Sequence, residues 1–279
     1  MTSRRSVGEA FFLPSQSGQL FAIYYPPIDP LVNRLDVLLV PPFAEEMNKS
    51  RRMFVMLAEQ LAASGIGVLN IDFFGTGDSQ GNFNDARWAT WLSDIDCAMA
   101  FLRQRNAQRI AVLGLRAGAL LALEFQRREP SCFSAILLWQ PVLNGATYMN
   151  QFLRLRVAAD RLENRPQATT TSMLRTLLAE GQTLEIGGYE LHPALFESLS
   201  LCNVEAPDNA LTIPIHWFDV SSQEPGLAPS ASTRIMQAWR EAGADVMFHS
   251  VPGQSFWDAQ ETTTVPALCD QTVSVLRSL

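Results

Sequence analysis

The run Gly114-Leu115-Arg116-Ala117-Gly118 stands where an apolar, strand-like stretch (109–113) gives way to a helical pattern (116–128). A helix N-terminus favours anions and disfavours cations. Arg116 therefore needs a negative group in front of it, and Glu45, Glu46, Asp72 and Glu224 are the acids considered for that role. Two arrangements satisfy the electrostatics. In one, Arg116 pairs internally with Glu45 or Glu46 and plugs the space before the helix. In the other, Arg116 and free backbone N–H groups bind a ligand carboxylate or phosphate. In neither can Arg116 be a nucleophile, because a guanidinium stays protonated.

Other chemistry is sparse. There are three histidines, His192, His216 and His249, and no HxH, HExxH or CxxC spacing, so neither a metal nor a cofactor is expected. The run Glu45-Glu46-Met47-Asn48-Lys49-Ser50 reads as a solvated loop and first helical turn with Asn48 or Ser50 as N-cap. It also leaves room for Glu45 or Glu46 to face a pocket. Asp72 and Asp78 read as turn-stabilising acids. His192 and His216, being isolated, read as structural. Trp88, Trp91, Trp217 and Trp257 read as core residues, with Trp257 the one that could also line a site.

The elements that must position these residues alternate. Phe11–Leu13 and Leu20–Tyr25 flank Ser17-Gly18 and suggest a hairpin. Leu35–Val40 is a continuous apolar run, as in a strand covered on both faces. Ser50–Ala63 has helical period, followed by strand Ile66–Ile71, helix Asp85–Arg105, strand Arg109–Leu113, helix Arg116–Arg128 and strand Ala135–Trp139. Residues 142–210 break the rhythm. It resumes with strand Ile213–Val220, helix Ser232–Ala242, strand Asp245–Val251 and helix Thr264–Ser278. This alternation predicts an α/β fold with a mostly parallel central sheet and helices on both faces. It reads as one domain over 1–279, with 142–210 inserted as a cap over the carboxyl edge of the sheet, where ligands bind in such folds.

Composition excludes several classes. The 279 residues carry 21 Lys+Arg against 28 Asp+Glu, a net charge of −7, which argues against nucleic acid as a partner. The 47% hydrophobic content excludes a disordered chain. No apolar run follows Arg4-Arg5, so no secretory leader is expected, and none is long enough for a membrane span. Four widely spaced cysteines point to free thiols and a cytoplasmic location.

Two local signatures carry a resemblance. Asp72-Phe73-Phe74-Gly75-Thr76-Gly77-Asp78-Ser79 follows a buried strand and resembles the D-x-x-G-x-G-x-S turn of α/β-hydrolases. Gly114-Leu115-Arg116-Ala117-Gly118, between strand and helix, resembles their nucleophile elbow, G-x-S-x-G. The chain is thereby identified as a member of the α/β-hydrolase superfamily. Residues 40–53 with 114–118 also resemble the hydrolase-fold proteins associated with bacterial exosortase systems, encoded near exopolysaccharide genes. That closer resemblance implies a cytoplasmic protein with a partner in the exosortase system, and it implies hydrolase activity only by superfamily membership.

The superfamily resemblance implies a nucleophile at Arg116, a histidine at Gln254 in the turn after the last strand, and an acid at Asp219 or Glu224. Gln254 cannot accept a proton at neutral pH, and His249 lies inside the predicted strand. The loop expected to build half of an oxyanion hole is Pro41-Pro42-Phe43, whose prolines have no N–H to donate.

Three functions remain in competition: a homologue without triad chemistry that binds an anionic small molecule or partner; a slow hydrolase or acyl-transfer enzyme, with Glu45 or Glu46 as general base and Arg116 polarising a carbonyl; and a scaffold of the exosortase or exopolysaccharide system.

Overall fold

The computed structural model describes residues 7–30, 32–130, 132–162, 169–204, 212–221 and 230–279. Its central sheet has eight strands: β1 (Glu9–Pro14), β2 (Gln19–Tyr25), β3 (Leu35–Val40), β4 (Gly67–Ile71), β5 (Arg109–Leu115), β6 (Ala135–Trp139), β9 (Ile215–Ser221) and β10 (Val246–Pro252). The order is β1-β2-β4-β3-β5-β6-β9-β10. β1 and β2 form an antiparallel hairpin and β2 runs antiparallel to β4, while every pair from β4 to β10 is parallel. The parallel strands β3, β5 and β6 are buried almost throughout, because helices cover both faces.

On one face, α1 (Glu45–Ala63) packs beside α8 (Pro266–Ser278). On the other lie α2 (Trp88–Gln104), α3 (Ala117–Arg128) and α7 (Ser230–Glu241). Between β6 and β9 the chain forms α4 (Gly145–Leu162), α5 (Thr171–Ala179), the hairpin of β7 (Leu184–Ile186) and β8 (Tyr189–Leu191), and α6 (Pro193–Leu201). These elements bury Leu153, Leu174, Leu178, Ile186, Leu191, Leu195 and Leu199.

Two expectations are corrected. α1 starts at Glu45, five residues before the predicted Ser50, and neither Asn48 nor Ser50 caps it. Its N-cap is Ala44, in the left-handed region at φ 51°, with Glu45 and Glu46 in the first turn, where the dipole favours them. Ser50 donates instead to the Glu46 carbonyl at 2.7 Å.

His216 is not isolated. Its Nδ1 lies 3.0 Å from Nε2 of His249 on neighbouring β10, and Phe218 stacks on His249. Burial lowers both histidines, His216 to about 4. A base whose folded pKa is depressed binds its proton in the unfolded chain first. Its stabilising contribution is therefore complete above about pH 6.5 and is lost as pH falls toward 4, at up to about 1.4 kcal/mol per pH unit for each histidine. Buried Asp94, pushed up to about 6, works in the opposite direction. The expected result is thus a difference: between pH 7 and pH 4.5, wild type loses more stability than His216→Phe in denaturant unfolding. Parallel curves would remove the histidine pair as the cause.

Candidate functional site

Sheet register assembles the site. Val40 pairs with Gly114, Leu115 with Trp139, and Trp139 with Phe218. The residues that follow, Pro41, Arg116, Gln140 and Asp219, come together at the carboxyl edge. The elbow is tight. A Cβ on Gly118 would stand 2.4 Å from the Val40 carbonyl oxygen, and one on Gly114 would stand 2.6 Å from the Gly118 oxygen. Between these glycines Arg116 adopts φ 54°, a conformation non-glycine residues hold only under constraint. The constraint is visible: Arg116 N–H donates to the Trp139 carbonyl at 3.0 Å, while its carbonyl accepts from Ala119 and Val142.

Arg116 meets its acid. Nε donates to Glu46 Oε1 at 3.3 Å, and both side chains are mostly buried. Tyr148, from α4, donates its hydroxyl to Glu46 Oε2 at 2.9 Å. The guanidinium lies between two rings, 5.7 Å from Tyr148 and 5.4 Å from Trp257, within cation–π range. Its Nη1 reaches the Gln140 carbonyl at 3.4 Å. Burial pushes the Glu46 carboxyl upward, and Arg116 and Tyr148 pull against it.

A cavity of about 380 Å³ opens beside this group. It is lined by Glu45, Glu46, Lys49, Arg116, Gln151 and Asp258 on its polar side, and by Phe43, Phe152, Leu155 and Trp257 on its apolar side. Deeper in, beyond Phe43, the space against Ala117 and Gly118 shrinks to about 10 Å³, too small for more than one water.

The other predicted residues divide. Glu45 lines the same cavity, but it is exposed and accepts from Asn48 and Tyr189, each at 3.1 Å. Asp219 is buried on β9, raised by burial, and hydrogen-bonded by the Gln140 side chain, which also accepts from Val220 N–H at 2.7 Å. Among the described residues Gln140 links it to Arg116. Asp72 is taken by Arg51 at 2.8 Å and by the turn amide of Asp78. Gln254 is exposed and outside the cavity lining. His249 is committed to His216, and His192 caps α6, accepting from Ala194 N–H. Glu224 lies outside the described residues. Among those residues no three His, Cys, Asp or Glu side chains converge as a metal site would require, and no helix is long and apolar enough to cross a membrane.

Sequence reasoning missed Tyr148 and Gln140. Tyr148 sits in the segment whose pattern broke off, so nothing local marked it. Gln140 carries a signal only in structure, its φ of 42°.

Sheet order, elbow and the cavity at the carboxyl edge define an α/β-hydrolase fold. Residues 36–181, just over half of the chain, match the family described as serine aminopeptidase, and the protein belongs to that family of hydrolases. Similar folds include Est1E from Butyrivibrio proteoclasticus with ferulic acid bound (16% identity, TM-score 0.68, covering 96% of this chain and 98% of that one). A thermostable carboxyl esterase from Bacillus coagulans in complex with glycerol is similar at 14% identity and TM-score 0.67, covering 98% of each chain. So is proline iminopeptidase from Mycobacterium smegmatis, at 13% identity and TM-score 0.63, covering 97% of this chain and 98% of that one. An uncharacterized Rickettsia prowazekii protein is 29% identical over 119 residues, covering 42% of this chain and about half (49%) of its own length.

Proposed function

We propose that this protein is an α/β-hydrolase homologue that binds a small carboxylate or acyl ligand at Arg116, with little or no triad hydrolysis. The observation that carries this reading is the guanidinium held in the elbow. By resemblance that position supplies the nucleophile, and here it holds a group that cannot attack. The matching histidine position is Gln254, the acid position Asp219 or Glu224.

Arg116 has five N–H donors. Among the described residues Glu46 and the Gln140 carbonyl take two, which leaves donors for a ligand oxygen without breaking the ion pair. The lining carries Arg116 and Lys49 against Glu45, Glu46 and Asp258, a small negative excess. That balance favours one carboxylate, or a neutral acyl group, over a phosphate dianion. The ligand's apolar body would lie on Phe43, Phe152, Leu155 and Trp257. Residues 142–210 would act as a cap within one domain spanning 1–279. Two of the similar structures, a carboxyl esterase and a protein with ferulic acid bound, are in keeping with acyl or acid ligands.

By the resemblance of residues 40–53 and 114–118, we further place the chain beside exosortase A system-associated hydrolase 2. Its setting would be the cytoplasm, with a protein of the exosortase system as second partner.

A second reading rests on the raised Glu46 carboxyl, which suits a general base. Glu46 or Glu45 would activate water while Arg116 polarises the carbonyl, with about 10²–10⁴-fold assistance. One pair of measurements separates the two. Titration with octanoate is expected to give saturable heat, while short- and medium-chain esters and thioesters give no turnover above background. Turnover that disappears in both Arg116→Ala and Glu46→Gln would replace the binding reading with the catalytic one.

A further inference from the structure

The outer face of α4 and α5 has no partner among the described residues. Along α4, Arg154, Leu155, Ala158, Arg161 and Leu162 are all exposed, at helical spacings of one face. Leu155 is 54% and Leu162 84% exposed, and Met173 on α5 is 47% exposed. Large apolar side chains this open, on adjacent helices, form an unpartnered patch. Cations flank it. Arg154, Arg161 and Arg175 are exposed, and none has an ion-pair or hydrogen-bond partner among the described residues. Residues 145–179 hold five arginines against two acids, in a chain whose net charge is −7. Positive charge is thus concentrated where the leucines emerge.

A groove of about 450 Å³ runs between the two helices, lined by Asn150, Arg154, Thr171, Ser172, Arg175 and Thr176. It offers two guanidinium groups, hydroxyls and an amide as donors, and no acid. On the other flank of α4, Gln151 and Leu155 line the Arg116 cavity.

We infer that this face docks on an anionic lipid surface: Arg154, Arg161 and Arg175 meet headgroups while Leu155, Leu162 and Met173 enter the acyl boundary. Helices with leucines beside arginines bind bilayer interfaces in this way. Charge complementarity decides the occupant. An overall acidic protein is repelled by an anionic membrane, except through a face that reverses its sign. The docking does not depend on the ligand reading of Arg116, although it would set the cavity beside the bilayer.

The test is cosedimentation of the full chain with vesicles of phosphatidylcholine alone, or of phosphatidylcholine with about one third phosphatidylglycerol, at low and high salt. Binding is expected only to the anionic vesicles, and to weaken with salt. The triple variant R154E/R161E/R175E is expected to lower it about a hundredfold. L162Q/M173Q is expected to weaken it at fixed charge. These positions are exposed, so the variants should keep the wild-type far-ultraviolet spectrum and melting temperature. R161E alone provides a milder check. No binding to anionic vesicles, equal binding to both compositions, or binding untouched by the triple variant would overturn the inference. So would free glycerol phosphate or a soluble polyglutamate that competes the vesicles away at micromolar concentration. The first would make the groove a small-anion site, the second a protein-docking face.

Discussion

Replacing Arg116 with methionine is expected to cost about 3 kcal/mol of stability and to weaken octanoate binding about a hundredfold. The substitution keeps most of the apolar contact with Tyr148 and Trp257, so the loss is electrostatic. Glu46 would remain mostly buried, with Tyr148 as its one side-chain hydrogen-bond donor and no paired cation among the described residues. Removing one partner of a buried pair leaves an uncompensated charge, at about 3–5 kcal/mol, and partial exposure puts this pair at the low end. A neutral second partner should recover much of the loss: Arg116→Met with Glu46→Leu is expected to be more stable than Arg116→Met alone. Octanoate binding should not return, because the donors are gone. Denaturant unfolding and calorimetric titration read the two effects separately. A single variant as stable as wild type would mean that Glu46 is solvated or protonated, and that the pair does not hold the elbow.

Gly118→Ala is expected to destabilise the protein by about 3 kcal/mol or more, with little folded protein at 37 °C. The added methyl would meet the Val40 oxygen at 2.4 Å and the Pro41 oxygen at 2.6 Å. Both are backbone atoms at the end of a fully buried strand, so neither can swing aside as a long side chain would. Relief requires α3 to back away from β3, which opens the packing of Ala117, Ala119 and Leu120. Gly181→Ala serves as a control for a glycine with open space around it, although its own φ of 86° carries a smaller strain. Urea midpoints of the two variants decide the matter. A loss for Gly118→Ala no larger than that for Gly181→Ala would show that β3 yields to the methyl, and that the close approach of α3 to β3 does not require glycine.

The sheet was legible because burial on both faces leaves uninterrupted apolar runs, as in Leu35–Val40 and Ala135–Trp139. The ends of helices were less so. α1 begins at an alanine with positive φ, and no residue preference marks such a start. For the site, the helix dipole required an acid near Arg116, and Glu46 is that acid. It could not distinguish Glu46 from Glu45 one residue earlier, since that depends on where α1 begins. Gln254 shows the limit of matching positions by motif: its place in the turn suits a histidine, yet its side chain is exposed and outside the cavity. Tyr148 and Gln140 belong to contacts formed between elements distant in sequence, and no periodicity records those.

Phe43 lines both the open cavity and the closed space beneath it, held edge-on by Phe83, Trp91, Tyr148 and Phe152. Under the proposed binding, a molecule gripped by Arg116 would have the Phe43 ring as a floor and Phe152 and Leu155 along its side. Chain length would then be read outward from the guanidinium: short tails would stay inside, and longer ones would emerge beside α4. Phe43 would thus act as a stop, and an added methylene would change where the tail ends without changing how the head is held.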